Sequence, residues 1–199
     1  MERQQDESSR EENSRRELDS TPSDPQSDQA LIEAINAGDV DAFEALYHRY
    51  RDWVVRLAWR FTGNHDDALD VLQEAFAYLL RKFPGFRLTA RMTTFLYPVI
   101  KNLSIAARRK SSRFVSNSDA LFDVAATSRD EDHRSDLAAA LAVLPETHRE
   151  VVLMRFVDDM SLAEIAGALN VPVGTVKSRL HNSLKTLKDD DRAKRYFLD

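Results

Sequence analysis

Two helices joined by a short turn are predicted by the stretch SLAEIAGALNVPVGTVKSRLHNSLKTLK, which covers residues 161–188. Ser161 and Glu164 have the spacing of a capping box, the pattern that marks a helix start. The run from Asn170 to Pro172 ends this helix, so the second helix must begin almost at once. A turn this short makes the two helices cross closely, as they do in a helix-turn-helix.

Apolar and polar residues of this stretch separate onto opposite faces. The residues predicted to pack inside are Leu162, Ile165, Ala166, Leu169, Val171, Val176 and Leu180. The outer face presents the candidate DNA-binding residues Thr175, Lys177, Ser178, Arg179, His181, Asn182 and Lys185. A helix of roughly 24 Å, at ~1.5 Å per residue, fits a major groove about 12 Å wide. The sequence leaves open whether Lys177 and Arg179 would contact bases or phosphates.

Charge is distributed unevenly along a chain whose net charge is −5. Residues 81–113 hold nine basic and no acidic side chains, and residues 173–188 hold four basic and none acidic. In a chain with 31% charged residues, two windows free of carboxylates indicate nucleic-acid contact rather than solvated faces. They also count against the alternative that residues 161–188 are an ordinary helix pair whose polar face happens to be basic.

Aromatic side chains are interleaved with the basic residues of the first window. Positive side chains can follow a DNA backbone while rings accept unstacked bases, a combination suited to unpaired DNA. The candidate residues are Phe86, Arg87, Arg91, Tyr97, Lys101, Arg108 and Arg109. Phe83 and Phe95 fall on the apolar stripe and are expected in the core, whereas Phe86 and Tyr97 are expected to be more open.

Helical periodicity also dominates the N-terminal half of the chain. A short helix that begins near residue 30 stops before Gly38, and Asp39 or Asp41 can cap the next one. That second helix is long and runs to Gly63, after which Asn64 caps a third helix.

The third helix is expected to end at Pro84, and a fourth to run from Thr93 or Thr94 to about Lys110. Pro98 lies beyond the positions where a missing N–H is harmless, so the fourth helix is expected to start late or to be kinked there.

No strand pattern appears, so the fold class is all-α, with two small helical domains joined by a flexible linker and a helix-turn-helix at the C-terminal end. The predicted divisions are a disordered acidic tail at 1–28, a first domain at 29–113, a linker at 114–135, a second domain of four helices at 136–189, and a tail at 190–199.

Composition narrows the class further. The chain has no cysteine, which excludes disulfides and thiolate metal sites and favours an intracellular protein in the cytoplasm. No apolar run reaches the roughly 18 residues of a membrane span, so neither a signal peptide nor membrane insertion is expected.

Acidic residues are concentrated at the start of the third helix. His65, Asp66, Asp67, Asp70 and Glu74 could be imagined as a metal or acid–base site, since some share a face at four-residue spacing. The other histidines are scattered, and a metal site needs converging ligands with supporting contacts. A solvated face or a docking surface for a basic partner is the preferred interpretation.

Three segments in fixed order carry a family resemblance. Residues 68–76 have the pattern Ala-x-Asp-x-x-Gln-Glu-x-Phe, residues 94–103 read TFLYPVIKNL, and the third segment runs from LPE at 144–146 to VGTVKSRLH at 173–181. Together they resemble the extracytoplasmic-function (ECF) group of bacterial RNA polymerase sigma factors, over roughly residues 28–188. The likeness makes the first domain region 2-like and the second region 4-like.

The resemblance implies a function and a set of partners. It implies binding of core RNA polymerase through the third helix, at Asp67, Asp70, Gln73 and Glu74. It also implies contacts with the −10 element, locally melted, through the aromatic and basic window, to which it adds Asn102, and with the double-stranded −35 element through the last helix. It implies no catalysis and no cofactor, and it prompts the hypothesis of an anti-sigma partner.

The chain departs from the family pattern at six positions. Phe95 stands where the family usually has Trp, Pro98 where it has a basic residue, and Ala106 where it often has Asp. Arg is frequent where this chain has Asn182, Leu184 and Thr186, so its last helix is expected to hold phosphates more weakly.

Two other functions stay open at this point. A regulator that binds an operator without polymerase would have a similar helix-turn-helix, because such a motif occurs in many proteins. An enzyme with a carboxylate metal site on the third helix is a more distant alternative.

Overall fold

The computed structural model describes residues 25–114 and 141–190. Seven helices lie within these two ranges: α1 Pro25–Asn36, α2 Val40–Thr62, α3 His65–Leu80, α4 Met92–Phe114, α5 Glu146–Phe156, α6 Leu162–Leu169 and α7 Val173–Asp189. No strand occurs in the described ranges, which confirms the all-α class. Most of the predicted tail, nearly all of the predicted linker, the start of the second domain and residues 191–199 lie outside them.

The first domain consists of α1 to α4. Capping residues next to the helix ends determine where α2 and α3 begin. The Asp39 side chain accepts a hydrogen bond from the N–H of Ala42 and caps α2, which ends at Gly63 with a left-handed φ of 69°. Asn64 caps α3 by accepting from two backbone N–H groups, as the sequence predicts. These short connections keep α2 and α3 antiparallel neighbours, and α4 packs against both.

Helix α1 begins earlier than expected, so the prediction that residues 25–28 belong to a disordered tail is wrong. Pro25 occupies the first helical position, where its missing N–H has no consequence. Asp28 is 2% exposed, and it accepts hydrogen bonds from the Arg49 guanidinium at 2.6 Å and from the Tyr50 hydroxyl. A buried carboxylate with two donors fixes α1 on α2.

Helix α4 is longer than predicted at both ends, and α3 stops sooner, at Leu80. Pro98 is the seventh residue of α4 and lies inside the helix, so the expectation of a late start is wrong. The Pro98 ring removes the hydrogen bond that the Thr94 carbonyl would accept, yet packing of Leu96, Tyr97 and Ile100 into the core keeps the helix continuous.

The second domain consists of α5, α6 and α7. Ser161 and Glu164 form the predicted capping box at the start of α6, which ends at Asn170 in the left-handed conformation with a φ of 52°. Helix α7 then begins at Val173 and packs against α5 and α6. The helix-turn-helix expected from residues 161–188 is therefore confirmed.

The two domains are packed against each other. Helix α4 of the first domain contacts α6 of the second, and the Thr94 methyl lies 3.2 Å from where a Cβ on Gly167 would stand. Buried Met154, Met160 and Ile165 of the second domain are continuous with the apolar core of the first. A smaller core of Leu141, Leu144, Val152 and Leu187 belongs to the second domain alone.

Replacing the buried carboxylate of α1 tests its role in stability. Asp28→Ala should lower the free energy of unfolding by about 3 kcal/mol, because it removes the buried acceptor shared by Arg49 and Tyr50. Asp52→Ala removes an acid whose side chain is 71% exposed, and it should cost less than about 0.5 kcal/mol. Chemical denaturation measures both values, and equal losses would show that Asp28 has no special role.

Candidate nucleic-acid interface

Helix α4 carries the basic and aromatic face predicted to contact unpaired DNA. Tyr97, Lys101 and Arg108 recur at four- and seven-residue spacing, so they share one side of the helix. With Arg109 they line a cavity of about 170 Å³ that opens between the two domains. The structure thus brings four of the predicted residues together, but it places them against the second domain.

Tyr97 is the clearest departure from expectation. Its side chain is 1% exposed, so the prediction that it is open is wrong in this structure. The Tyr97 hydroxyl donates a hydrogen bond to Glu150 Oε1 at 3.0 Å, and burial raises the pKa of the phenol well above its usual range. The phenol therefore stays protonated and serves as a donor. The physical reason for its burial is that its ring packs against Phe61 of α2, with centroids 6.2 Å apart, while its hydroxyl reaches Glu150 on α5 of the second domain.

Two further candidates are paired with carboxylates of the second domain. The Lys101 ammonium lies 2.5 Å from Glu150 Oε1, and Arg91 Nε lies 2.8 Å from Glu164 Oε1. Both carboxylate side chains are 13% exposed, so these pairs are shielded from solvent more than ordinary surface pairs. Glu164 also stabilises the start of α6, because its other oxygen accepts a hydrogen bond from the Ser161 N–H in the capping box.

A third ion pair was not predicted. Arg60, near the end of α2, donates to Asp158 Oδ2 at 2.6 Å, and the side chains are 13% and 6% exposed. Burial raises the pKa of Asp158, although Arg60 and Arg56 act in the opposite direction. The sequence held no signal for this contact, because Arg60 lies outside the carboxylate-free window 81–113 and is 98 residues from Asp158.

The remaining candidates of the first domain are dispersed. Phe86 is half-buried, and its ring packs against Phe83 and Phe95 with centroids 5.4 and 5.0 Å apart. Its backbone N–H and carbonyl both bond to the Asn36 side chain, which fixes the loop before α4. Arg87 is exposed, and so are Arg108 and Arg109, which line the cavity between the domains with Tyr97 and Lys101. Asn102 is exposed and lines a separate groove toward α3.

Helix α7 presents the face predicted to read double-stranded DNA. Lys177, Ser178, His181, Asn182 and Lys185 are exposed, while Thr175 and Arg179 are half-buried. Val176 and Leu187 are buried on the opposite side. Pro172 precedes the helix without a side-chain cap, so the first N–H groups of α7 have no side-chain acceptor and suit a phosphate.

The acidic face of α3 lies on another side of the first domain. Asp70, Gln73 and Glu74 are exposed, as a docking surface requires. Asp67 is half-buried and accepts a hydrogen bond from the Ser111 hydroxyl at 3.1 Å, so it also ties α3 to α4. These carboxylates border a shallow groove of about 250 Å³ that reaches Lys110.

Within residues 25–114 and 141–190, no three His, Asp or Glu side chains are grouped closely enough to hold a metal ion. None of the helices in those ranges is both long and apolar enough to cross a membrane.

Two family models match consecutive parts of the chain. The model described as Sigma-70 region 2 matches residues 46–114, and the model described as Sigma-70, region 4 matches residues 134–187. The first match covers most of α2 to α4, and the second covers α5, α6 and most of α7. The two matches therefore coincide with the two domains that carry the candidate faces.

Known proteins agree with these matches. The chain is 30% identical over 173 residues to the ECF RNA polymerase sigma factor SigW of Bacillus subtilis, which covers 79% of this chain and 92% of the relative. The solved structure of CnrH in complex with the cytosolic domain of CnrY matches with a TM-score of 0.62 and 21% identity, over 82% of this chain and 96% of that one. The sigma factor RpoE of Bartonella quintana, solved with the anti-sigma factor NepR, matches with a TM-score of 0.55 and 20% identity, over 79% and 98%. The chain belongs to the ECF group of RNA polymerase sigma factors.

Proposed function

We propose that this sigma factor docks on core RNA polymerase through α3, contacts the −10 element through α4 and contacts the −35 element through α7. The first domain would comprise helices α1 to α4, and the second residues 136–189. The observation that carries the proposal is the polar face of α7, which stands on the second helix of a helix-turn-helix and has no carboxylate before Asp189. A face of this kind suits the phosphates and base edges of a major groove.

The docking assignment rests on charge and position. Asp70 and Glu74 are one turn apart on α3, exposed, and held on a helix whose opposite side is buried in the core. A rigid acidic strip suits a basic surface on a large partner, because opposite charges guide association and fix orientation. In this assignment the chain works by placing the polymerase, not by catalysis, and it acts in the cytoplasm where the polymerase and the promoters are.

An anti-sigma protein is a further proposed partner. The proposal is prompted by family membership and by the complex that the Bartonella quintana sigma factor forms with NepR. Affinity purification of the native chain should recover such an inhibitor besides polymerase, whereas recovery of polymerase alone would contradict this part of the proposal.

Run-off transcription separates the proposed function from that of a stand-alone regulator. A promoter fragment is first found by mapping transcript starts after induced expression of the chain. Purified core enzyme mixed with this chain and that fragment should initiate transcription at one site. Initiation should disappear when the chain is left out. Tight binding of the fragment by the chain alone, with no effect on initiation by core, would instead support the regulator.

Charge reversal on α3 tests the docking surface. Asp70→Lys and Glu74→Lys should each weaken binding of core polymerase about tenfold at low salt, since each replaces an attraction by a repulsion. Asp52→Lys, on the exposed surface of α2, makes the same change in charge and should leave the affinity nearly unchanged. Fluorescence anisotropy with labelled chain measures the three affinities. If the α3 variants bind as tightly as the α2 control, the docking assignment fails.

Removing the basic residues of α7 tests the −35 contact. For a residue on a phosphate, Lys177→Ala or Arg179→Ala should reduce the slope of log affinity against log salt by about one and weaken all sequences alike. For a residue on a base, the loss should be about 1–3 kcal/mol and confined to one promoter position. Arg51→Ala, which removes an exposed charge from α2, should change neither quantity. Unchanged promoter affinity in both α7 variants would refute the assignment.

A further inference from the structure

The side chain of Asn36, the last residue of α1, is bonded to the loop that joins α3 to α4. Its Oδ1 atom accepts hydrogen bonds from the N–H of Gly85 at 2.6 Å and from the N–H of Phe86 at 3.1 Å. Its Nδ2 atom donates to the Phe86 carbonyl at 2.8 Å. Both ends of one amide group therefore hold two consecutive residues that lie 49 and 50 residues further along the chain.

Asn36 belongs to a helix that is fixed along its length. Ile32 and Ile35, which precede it in α1, are buried in the core of the first domain. The buried Asp28 carboxylate fixes the other end of α1 on α2 through two hydrogen bonds. A side chain on a helix held in this way gives the loop a contact whose position does not change.

The backbone of the loop has few other restraints. Residues 81–91 connect α3 to α4 without a helix or a strand. In the described part of the chain, backbone hydrogen bonds formed outside helices reach this loop only at residues 81–83 and at Arg91. Gly85 has a φ of 99°, which a glycine adopts without strain. Asn36 therefore supplies the polar contacts that fix the middle of the loop.

The residues held by Asn36 lead directly to the face proposed for the −10 element. The Phe86 ring packs against the rings of Phe83 and Phe95, and the Phe95 ring is stacked with that of Tyr78 at 6.3 Å between centroids. Arg87 follows in the chain and is exposed. Rings can accept unstacked bases while cations follow the backbone. Binding costs less when such side chains are already in place, because they need not be ordered by the DNA.

We propose that Asn36 is a positioning residue for recognition of the −10 element, and that it acts through Phe86 and Arg87 by holding their loop in the shape that unpaired DNA binds. This inference rests on the proposed function, because it uses the assignment of this loop and of α4 to the −10 element. A neutral amide suits all three contacts. Its oxygen accepts from two N–H groups and its nitrogen donates to a carbonyl, whereas a carboxylate has no donor and a methyl group has neither.

Substitution of Asn36 tests the proposal in the complex of the full chain with core polymerase. The probes are labelled single-stranded oligodeoxynucleotides with the sequence of each strand of the −10 element, taken from the promoter mapped for run-off transcription. Asn36→Ala should weaken binding of the tighter probe about tenfold, because the released loop must be ordered when DNA binds. Asn36→Asp keeps the acceptor for both N–H groups and should weaken it only about threefold. As a matched control, Gln29→Ala removes an exposed amide from the same helix and should change the affinity less than about twofold.

Two further measurements separate positioning from a general loss of structure. The affinity of Asn36→Ala for core polymerase should equal that of the natural chain, because the exposed carboxylates of α3 do not depend on this loop. In a double-mutant cycle, Asn36→Ala should weaken probe binding less than about threefold when it is combined with Phe86→Ala, since its effect passes through Phe86. If Asn36→Ala does not fold, Asn36→Asp replaces it in the cycle. The same loss with and without Phe86→Ala, or an equal loss of affinity for core polymerase, would contradict the positioning role.

The outcomes also separate this inference from the proposed function. Equal probe affinity of the natural chain and of Asn36→Ala would overturn the inference and leave the chain a sigma factor. If the natural chain with core polymerase bound neither strand, or did not initiate at the mapped promoter, the proposed function itself would be contradicted.

Discussion

The packing of helix α4 constrains the other contacts of the molecule. Its surface is shared by the core of the first domain, by the second domain and, in the proposed function, by DNA. One side of the helix is buried against α2 and α3, where Leu96 and Ile100 are fully covered. Another side meets the second domain through Tyr97 and Lys101. In the proposed function, that same side contacts the −10 element.

The composition of the contact between the two domains is compatible with their reversible separation. It combines an apolar part, in which Met154, Met160 and Ile165 are buried, with three ion pairs whose members are incompletely desolvated. Ion pairs of this kind contribute little net free energy, because the cost of desolvation offsets most of the attraction. They do select a partner of the right charge. Asp70 and Glu74 take no part in this contact and remain exposed elsewhere on the first domain.

Local features of this fold could be predicted from sequence, and long-range ones could not. The caps at Asp39, Asn64 and Ser161 and the left-handed Gly63 depend on neighbours within a few residues, and the structure confirms them. The helix-turn-helix could be predicted for the same reason, because its spacing depends on residues close together in the chain. The burial of Asp28 depends on donors 21 and 22 residues away, so composition alone placed it in a tail. The assignment of individual residues to polymerase and promoter stays a prediction.

The face of α4 that meets the second domain illustrates the same limit. Its basic and aromatic content was evident, but the Glu150 carboxylate that Lys101 and Tyr97 contact lies 49 and 53 residues further along the chain. A sequence pattern predicts which kind of partner a surface can bind. It does not predict which of two suitable partners occupies that surface. In this chain, carboxylates of the acidic segment 146–164 contact this basic surface.

The distance between the domains, measured in solution by single-molecule energy transfer, tests this account most directly. Dyes on Asp52→Cys in α2 and Lys188→Cys in α7 use exposed positions in a chain with no other cysteine. The account predicts one compact, high-transfer population for the free chain, because apolar packing and three ion pairs hold the second domain against the first. Low transfer in the free chain would contradict it.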